Sequence, residues 1–248
     1  MDAETSQAVE LNLPQAFLLL ATNDTTGKPE VPVFALRTTL AGAVLAELDL
    51  LGAIELQGKH VRAAGTAPET DLQHELELIR GKSRPHTPRW WVSVLEGRAE
   101  VQRVYEGMAS LGIVEHVGEK HLGRFRPVRY PEKDHAPEAA LLKKLDAALS
   151  GAPSNLEPPE SGAADVPAAG SGTSGAPASN FSKTGTKAPE PRTIALIALL
   201  QAAGLLGKLF PDADRVRASE LAKDYWPSRA VEDELRMIRL AEEEAANL

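Results

Sequence analysis

The chain has 248 residues, of which 43% are hydrophobic and only 4% aromatic, so its core must be built from aliphatic side chains. It contains no cysteine, which excludes a disulfide framework, thiol catalysis and thiolate metal sites. The formal net charge of −8 argues against indiscriminate binding to nucleic acid, because the phosphate backbone attracts basic proteins.

The N-terminal segment 1–10 is polar and acidic, and we expect it to be a disordered tail. It lacks the basic flank and the apolar run of a signal peptide, so we expect a cytoplasmic protein. Asn12, Pro14 and Gln15 predict a helix start, because Asn caps helices, Pro suits the first turn and Gln follows at the third position. This helix should end near Ala21.

The segment 40–56, LAGAVLAELDLLGAIEL, is the densest apolar run of the chain. Large apolar residues recur every three or four positions from Val33 onward, and alanines make the other faces apolar too. This pattern predicts a helix that is buried on nearly all sides at the centre of a domain. Gly52 should end the helix in the left-handed conformation. Alternating residues at 54–56 and 60–64 then predict a β-hairpin.

Two short helices are predicted next. Thr70 and Gln73 have the spacing of a capping box, which should begin an amphipathic helix that ends near Arg80. A second helical stretch begins at Trp90 and ends near Leu95.

A longer helix is predicted at 98–111, with its apolar residues on one face and Gly112 at its end. Residues 113–114 and 122–128 predict a second hairpin around Gly118. A helix, a glycine and a hairpin therefore follow one another twice, although the surrounding residues do not repeat.

The C-terminal half contains four further amphipathic segments, predicted as helices at 136–149, 193–206, 215–226 and 228–246. Between the first two, residues 150–191 are rich in Ala, Gly, Ser and Pro and predict a flexible insertion. We therefore predict a mainly α fold: a single helical domain of residues 11–149 and 192–248 with two small antiparallel β-hairpins.

No catalytic motif is recognisable, so we expect neither an enzyme nor a cofactor. The sequence GSGTSG at 170–175 matches a dinucleotide-binding pattern, but it lies in the low-complexity segment without the strand and helix that this function needs. His116 and His121 flank the second hairpin turn, and we interpret them as solvated residues because no further ligand has a suitable spacing. We interpret Glu47, an acid within the central helix, as a partner of a helix N-terminus or of the backbone.

Basic residues cluster on the second hairpin and on the helix before it, which reverses the overall charge locally. They are either ordinary solvated arginines paired with nearby glutamates, or an anion-binding face for a phosphate headgroup, an anionic membrane or DNA. The candidate lipid- or anion-binding residues are Arg98, Arg103, Arg124 and Arg126.

Four apolar segments occur in a characteristic order: 11–27, then 40–56, then a Trp-led helical region ending in Leu-Gly-Ile-Val before a hairpin, then 192–211. In this order they resemble the Golgi phosphoprotein 3-like family, and the alanine-rich composition is similar to that of bacterial members. The resemblance implies a mostly helical domain with hairpins on one face. It also implies a peripheral membrane adaptor, since eukaryotic members bind phosphatidylinositol 4-phosphate and the cytosolic tails of Golgi glycosyltransferases.

The lipid pocket of the family is matched only in part. The family's tryptophan before the central helix corresponds to Pro32, and its arginine on that helix corresponds to Ala41. Of the two arginines before the second hairpin, Arg98 matches the first and Val101 stands at the second, where Arg103 substitutes if it faces the same way. The resemblance therefore implies affinity for anionic lipid headgroups or a membrane surface, at the cytoplasmic face of a membrane.

Two other functions are open from the sequence. A hairpin after a helix is also typical of winged-helix DNA-binding regulators, although neither helix carries a basic stripe and nucleic acid is not the expected partner. A small-molecule binder or an enzyme without a recognisable motif would be indicated by a large polar-lined pocket around Glu47.

Overall fold

The computed structural model of the chain describes residues 10–65, 68–118, 128–151 and 189–246, and all statements below refer to these residues. Within them, ten helices and one two-stranded sheet occur in the order α1 (Leu13–Leu20), α2 (Val33–Leu50), β1 (Ile54–Gln57), β2 (His60–Ala63), α3 (Gln73–Arg80), α4 (Pro88–Leu95), α5 (Arg98–Ser110), α6 (Ala136–Ser150), α7 (Pro191–Ala202), α8 (Leu206–Leu209), α9 (Arg215–Ala222) and α10 (Trp226–Ala246). The predicted mainly α fold is confirmed.

Helix α2 lies at the centre of this arrangement. It contacts α1, α4, α7 and α10, and every residue from Leu40 to Leu48 is buried. A helix that packs against neighbours on all sides needs small and apolar residues around its whole circumference, which is what the sequence supplies. Val33, in the first turn, is an exception because its side chain is exposed.

Helix α1 begins as predicted. Asn12 Oδ1 accepts a hydrogen bond from the Gln15 backbone N–H at 2.9 Å, and Gln15 Oε1 accepts one from the Asn12 backbone N–H at 3.1 Å. These two bonds satisfy donors that the helix itself leaves free. All eight residues of α1 are buried, so the helix is part of the core.

The glycines after α2 and α5 have the same role. Gly52 and Gly112 have φ values of +66° and +75°, as the sequence predicts. The Ala53 N–H donates to the Leu48 carbonyl at 2.8 Å, and the Ile113 N–H donates to the corresponding carbonyl of α5 at 3.0 Å. Each helix is thus closed by a Schellman-type turn that directs the chain into a hairpin.

The first hairpin is formed by β1 and β2, with Ile54 opposite Ala63 and Gln57 opposite His60. The second is described only at its base, where two isolated antiparallel bridges join Val114 to Glu132 and Val117 to Arg129. The paired residues of its returning strand therefore lie beyond the predicted segment 122–128, and residues 119–127 lie outside the described part of the chain.

Three predicted helix boundaries are wrong. The helix predicted at 193–206 ends at Ala202, because Gly204 adopts a φ of +74° and the chain turns there. The helix predicted at 215–226 ends at Ala222, since Asp224 adopts a φ of +64°, and α10 begins at Trp226. Thr70 does not cap α3.

In place of that cap, Thr70 forms a short turn: its hydroxyl accepts a bond from the Leu72 N–H at 3.3 Å and its carbonyl accepts one from the Gln73 N–H at 3.2 Å. Helix α3 then begins at Gln73 without a side-chain cap. The predicted flexible insertion, 150–191, stays a prediction, because residues 152–188 lie outside the described part.

The buried side chains of the described residues form one hydrophobic cluster, which is aliphatic apart from a few rings such as Phe17 and Trp91. No helix in the described ranges combines the length and the hydropathy needed to cross a bilayer.

Glu47 is a buried carboxylate in the middle of this apolar cluster. Its Oε2 accepts the N–H of Leu13, the first residue of α1, at 2.9 Å, and lies 2.5 Å from Arg192 Nη1 at the start of α7. The carboxylate therefore meets the positive end of α1 and a guanidinium together, which compensates its loss of hydration. The interpretation of Glu47 as a partner of a helix N-terminus is confirmed.

Replacing Gly42 by alanine should destabilise the contact between α2 and α10. The added Cβ would overlap Val231 Cγ2, and crowding of a packed core lowers the free energy of unfolding by about 1 to 3 kcal/mol. Chemical denaturation measures this loss. Gly207→Ala is the control, because its Cβ meets nothing within 4 Å and should cause no loss. Full additivity of G42A and V231A would contradict the proposed overlap.

Glu47→Gln should lower the free energy of unfolding by about 1 to 3 kcal/mol, because it removes the ion pair with Arg192 while keeping an oxygen for the Leu13 N–H. Denaturant titration is the measurement. The exposed Glu232→Gln on α10 is the matched control and should change stability by less than about 0.5 kcal/mol. A Glu47→Gln protein as stable as wild type would show that the pair does not stabilise the fold.

Candidate functional site

The candidate site surrounds the base of the second hairpin, residues 114–118 and 128–132. Val117 and Arg129 exchange both backbone hydrogen bonds, at 2.9 and 2.8 Å. The two strands therefore run side by side as they enter and leave the segment 119–127, whose sequence is EKHLGRFRP.

The turn that follows α1 supports the hairpin base. The Glu132 N–H donates to the Asp24 carbonyl at 2.8 Å, and the Tyr130 N–H donates to the Gly27 carbonyl at 3.3 Å. Gly27 has a φ of +61°, and a Cβ at this position would overlap the backbone of Tyr130 and Pro131. Only glycine permits this close approach, so the turn and the hairpin are built to fit each other.

A pair of tyrosines joins helix α5 to the hairpin base. The rings of Tyr105 and Tyr130 stack with their centroids 4.4 Å apart. Tyr105 Oη lies 2.6 Å from Thr22 Oγ1, and Tyr130 Oη donates to Glu106 Oε1 at 2.8 Å. Burial raises the pKa of Tyr105 to about 12, although its hydrogen bond with Thr22 opposes the shift. Burial and the neighbouring Glu106 carboxylate raise the pKa of Tyr130.

Of the two histidines singled out in the sequence, His116 lies in the described part of the chain. His116 Nδ1 lies 2.7 Å from Glu106 Oε1, so His116 is paired with a carboxylate of α5. His121 lies in the segment 119–127, outside the described part.

Three large apolar side chains around the hairpin base are exposed. The exposed fractions of Leu111, Val117 and Val128 are 48%, 42% and 45%. Val117 and Val128 adjoin the segment 119–127, and Arg129 beside them is half-buried. Apolar side chains at the edge of a basic segment are typical of a contact surface.

The four predicted arginines fall into three groups. Arg98 is the first residue of α5, and its exposed side chain has no hydrogen bond or ion pair to any described residue. Arg103 lies one turn further along α5 and is engaged by two carboxylates. Arg124 and Arg126 lie in the segment 119–127, outside the described residues.

Arg103 neutralises a pair of buried acids. Its Nη1 lies 2.5 Å from Glu75 Oε1 on α3, and its Nη2 binds Glu100 on α5. Both glutamates are buried, and Glu75 Oε2 has no hydrogen-bond partner among the described residues. Burial, followed by the charge of Glu75, raises the pKa of Glu100 from its ordinary 4.5 to about 7, against the opposing effect of Arg103. The spacing of Glu100 and Arg103 on one helix could be read from the sequence. The contact of Arg103 with Glu75, 28 residues away, could not.

The comparison with known families gives one result. A family model described as Golgi phosphoprotein 3 (GPP34) matches residues 13–238, which is nearly the whole chain. The match covers α1 through most of α10, including the central helix and both hairpins. No curated protein matches the chain.

The pair of buried glutamates predicts a pH-dependent stability. Glu100 binds its proton more tightly in the folded protein than in the unfolded one. Its contribution to the free energy of unfolding is therefore complete below about pH 4.5 and is lost as the pH rises through about 7. Glu100→Gln removes this loss, so the stability of the variant relative to wild type should increase between pH 5 and pH 8, by on the order of 2 kcal/mol. Denaturant titrations at both pH values measure it. The exposed Glu220→Gln should show no such change, and a pH-independent difference for Glu100→Gln would refute the assignment.

Proposed function

The chain belongs to the Golgi phosphoprotein 3 family, and on that premise we propose that it is a peripheral membrane protein that binds anionic lipid headgroups through the base and tip of the second hairpin. Membership in the family supports a lipid-binding or adaptor role. The location on this chain is supported by the surface around the hairpin base.

The exposed apolar residues Leu111, Val117 and Val128 carry the proposal. They border a segment whose sequence contains Lys120, Arg124 and Arg126. Both features favour contact with a membrane surface. Apolar side chains are buried at the boundary of the acyl chains, and each basic residue gains about 1 kcal/mol near anionic lipid.

The arginines have different roles in this proposal. Arg98, Arg124 and Arg126 bind phosphate groups, for which the planar guanidinium with its paired donors is well suited. Arg103 holds α5 against α3, because its Nη1 and Nη2 already bind Glu75 and Glu100.

Recognition of phosphatidylinositol 4-phosphate in particular is less well supported than recognition of negative charge. The two positions that correspond to the family's tryptophan and first arginine are the exposed Pro32 and the fully buried Ala41. Neither offers a donor to a headgroup. We therefore propose a general affinity for anionic headgroups rather than a selective inositide pocket.

Sedimentation with liposomes tests the proposal. Vesicles of phosphatidylcholine with 30% phosphatidylserine should pellet the protein at low salt, and vesicles of phosphatidylcholine alone should not. The triple variant R98S/R124S/R126S should bind roughly 10- to 100-fold more weakly, since three favourable charges are lost. Arg62→Ser, an exposed arginine on the first hairpin, is the control and should bind like wild type.

Failure to pellet with anionic vesicles at low salt would exclude this function. Sedimentation with a third vesicle preparation, which contains phosphatidylinositol 4-phosphate at the same total charge, distinguishes selective recognition of this lipid from general recognition of negative charge. Much tighter binding to it would show that the inositide pocket uses residues other than those at the family's positions.

A further inference from the structure

Four potential metal ligands lie together beside the hairpin base. One ligand atom from each of Asp24, Glu132, His135 and Glu138 lies within 4.8 Å of all the others. The residues come from three different places: the turn after α1, the returning strand of the second hairpin, and the start of α6. Glu132 belongs to the hairpin base, but none of the four is among the exposed apolar and basic side chains that carry the proposed lipid contact.

Glu132 distinguishes this cluster from ordinary surface acids. Its side chain is only 3% exposed, and its Oε1 has no hydrogen-bond partner among the described residues. The other oxygen, Oε2, contacts His135 Nδ1. A buried carboxylate oxygen without a donor is costly, and Glu132 lies among three other potential ligands.

The charges in the cluster are unbalanced. Three carboxylates face one imidazole, and Lys133, which lies next in the chain, is exposed and forms no ion pair with described residues. Asp24, Glu132 and Glu138 therefore repel one another when they are ionised. A cation between the carboxylates would remove this repulsion.

There is also space beside the cluster. A cavity of about 10 Å³ is lined by Asp24 and Glu132 together with Thr22, Tyr105 and Tyr130. This is about the room of one water-sized sphere. In a tetrahedral site with bonds of about 2.0 to 2.2 Å the ligand atoms lie about 3.3 to 3.6 Å apart, so the four groups must draw together by up to about 1.5 Å around an ion.

We propose that Asp24, Glu132, His135 and Glu138 bind one divalent transition-metal ion, Zn²⁺ or Mn²⁺. An imidazole among carboxylates suits these ions, whereas Mg²⁺ and Ca²⁺ prefer oxygen ligands alone. The ion joins the turn after α1, the hairpin strand and α6, and it thereby fixes the base from which the second hairpin projects.

Calorimetric titration of the metal-free full chain with ZnCl₂ and MnCl₂ tests the site. We expect one ion per chain, and a rise in Tm of about 5 to 10 °C when the free ion is at 100 times its Kd. Glu132→Gln and His135→Ala should each weaken binding at least tenfold. X-ray absorption at the zinc edge should show nitrogen and oxygen ligands and no sulfur.

His116→Ala is the matched control, because His116 also pairs with a glutamate near the hairpin but belongs to no cluster of potential ligands among the described residues. It should bind metal like wild type. The His135 side chain is 70% exposed, so its removal leaves the core intact and circular dichroism should be unchanged. Absence of saturable binding, preference for Mg²⁺ or Ca²⁺, or unchanged affinity in both variants would overturn the proposal and leave a shared proton or a buried water as the occupant.

Discussion

The carboxylate of Glu47 is the interaction on which the arrangement of the helices depends. It lies in the buried part of a mainly apolar helix, where a charge is tolerated only if donors surround it, and it receives the N–H of Leu13 and the guanidinium of Arg192. Because α1 and α2 precede the segment 152–188 and α7 follows it, this one group joins the two parts of the chain. The packing of α2 on α1, α4, α7 and α10 then buries the apolar surface that supplies most of the stability.

The second hairpin carries both the proposed lipid contact and part of the proposed metal site. A left-handed Gly112 directs the chain out of α5, the glycine at position 27 lets the turn after α1 support the returning strand, and the stacked tyrosines connect both to the helix. This base is well ordered by hydrogen bonds, while its outer face carries Leu111 and two exposed valines. A hydrogen-bonded base with exposed apolar side chains beside a segment of basic sequence suits the proposed contact with a lipid surface, and a bound cation would strengthen the same base.

A cluster of basic residues in a sequence does not by itself define a binding site. Arg103 is exposed at the surface of α5, yet its donors are used by Glu75 and Glu100, and the three groups together carry net negative charge when both acids are ionised. Arg98, less than one turn and a half earlier on the same helix, has no such partner among the described residues. The difference arises because Glu75 of α3 and Glu100 of α5 itself lie beside only one of the two positions.

The sequence by itself determined the features that depend on neighbouring residues: the cap of α1, the all-round apolar character of α2, the left-handed glycines and the mainly α class. Helix propensity, capping and periodicity act within a few residues, so they can be read along the chain. Only the tertiary structure decided that Glu47 meets Arg192, that Arg103 meets Glu75, and that Asp24 lies beside Glu132. These contacts join residues 28 to 145 positions apart, and they depend on how helices pack, which no local pattern encodes.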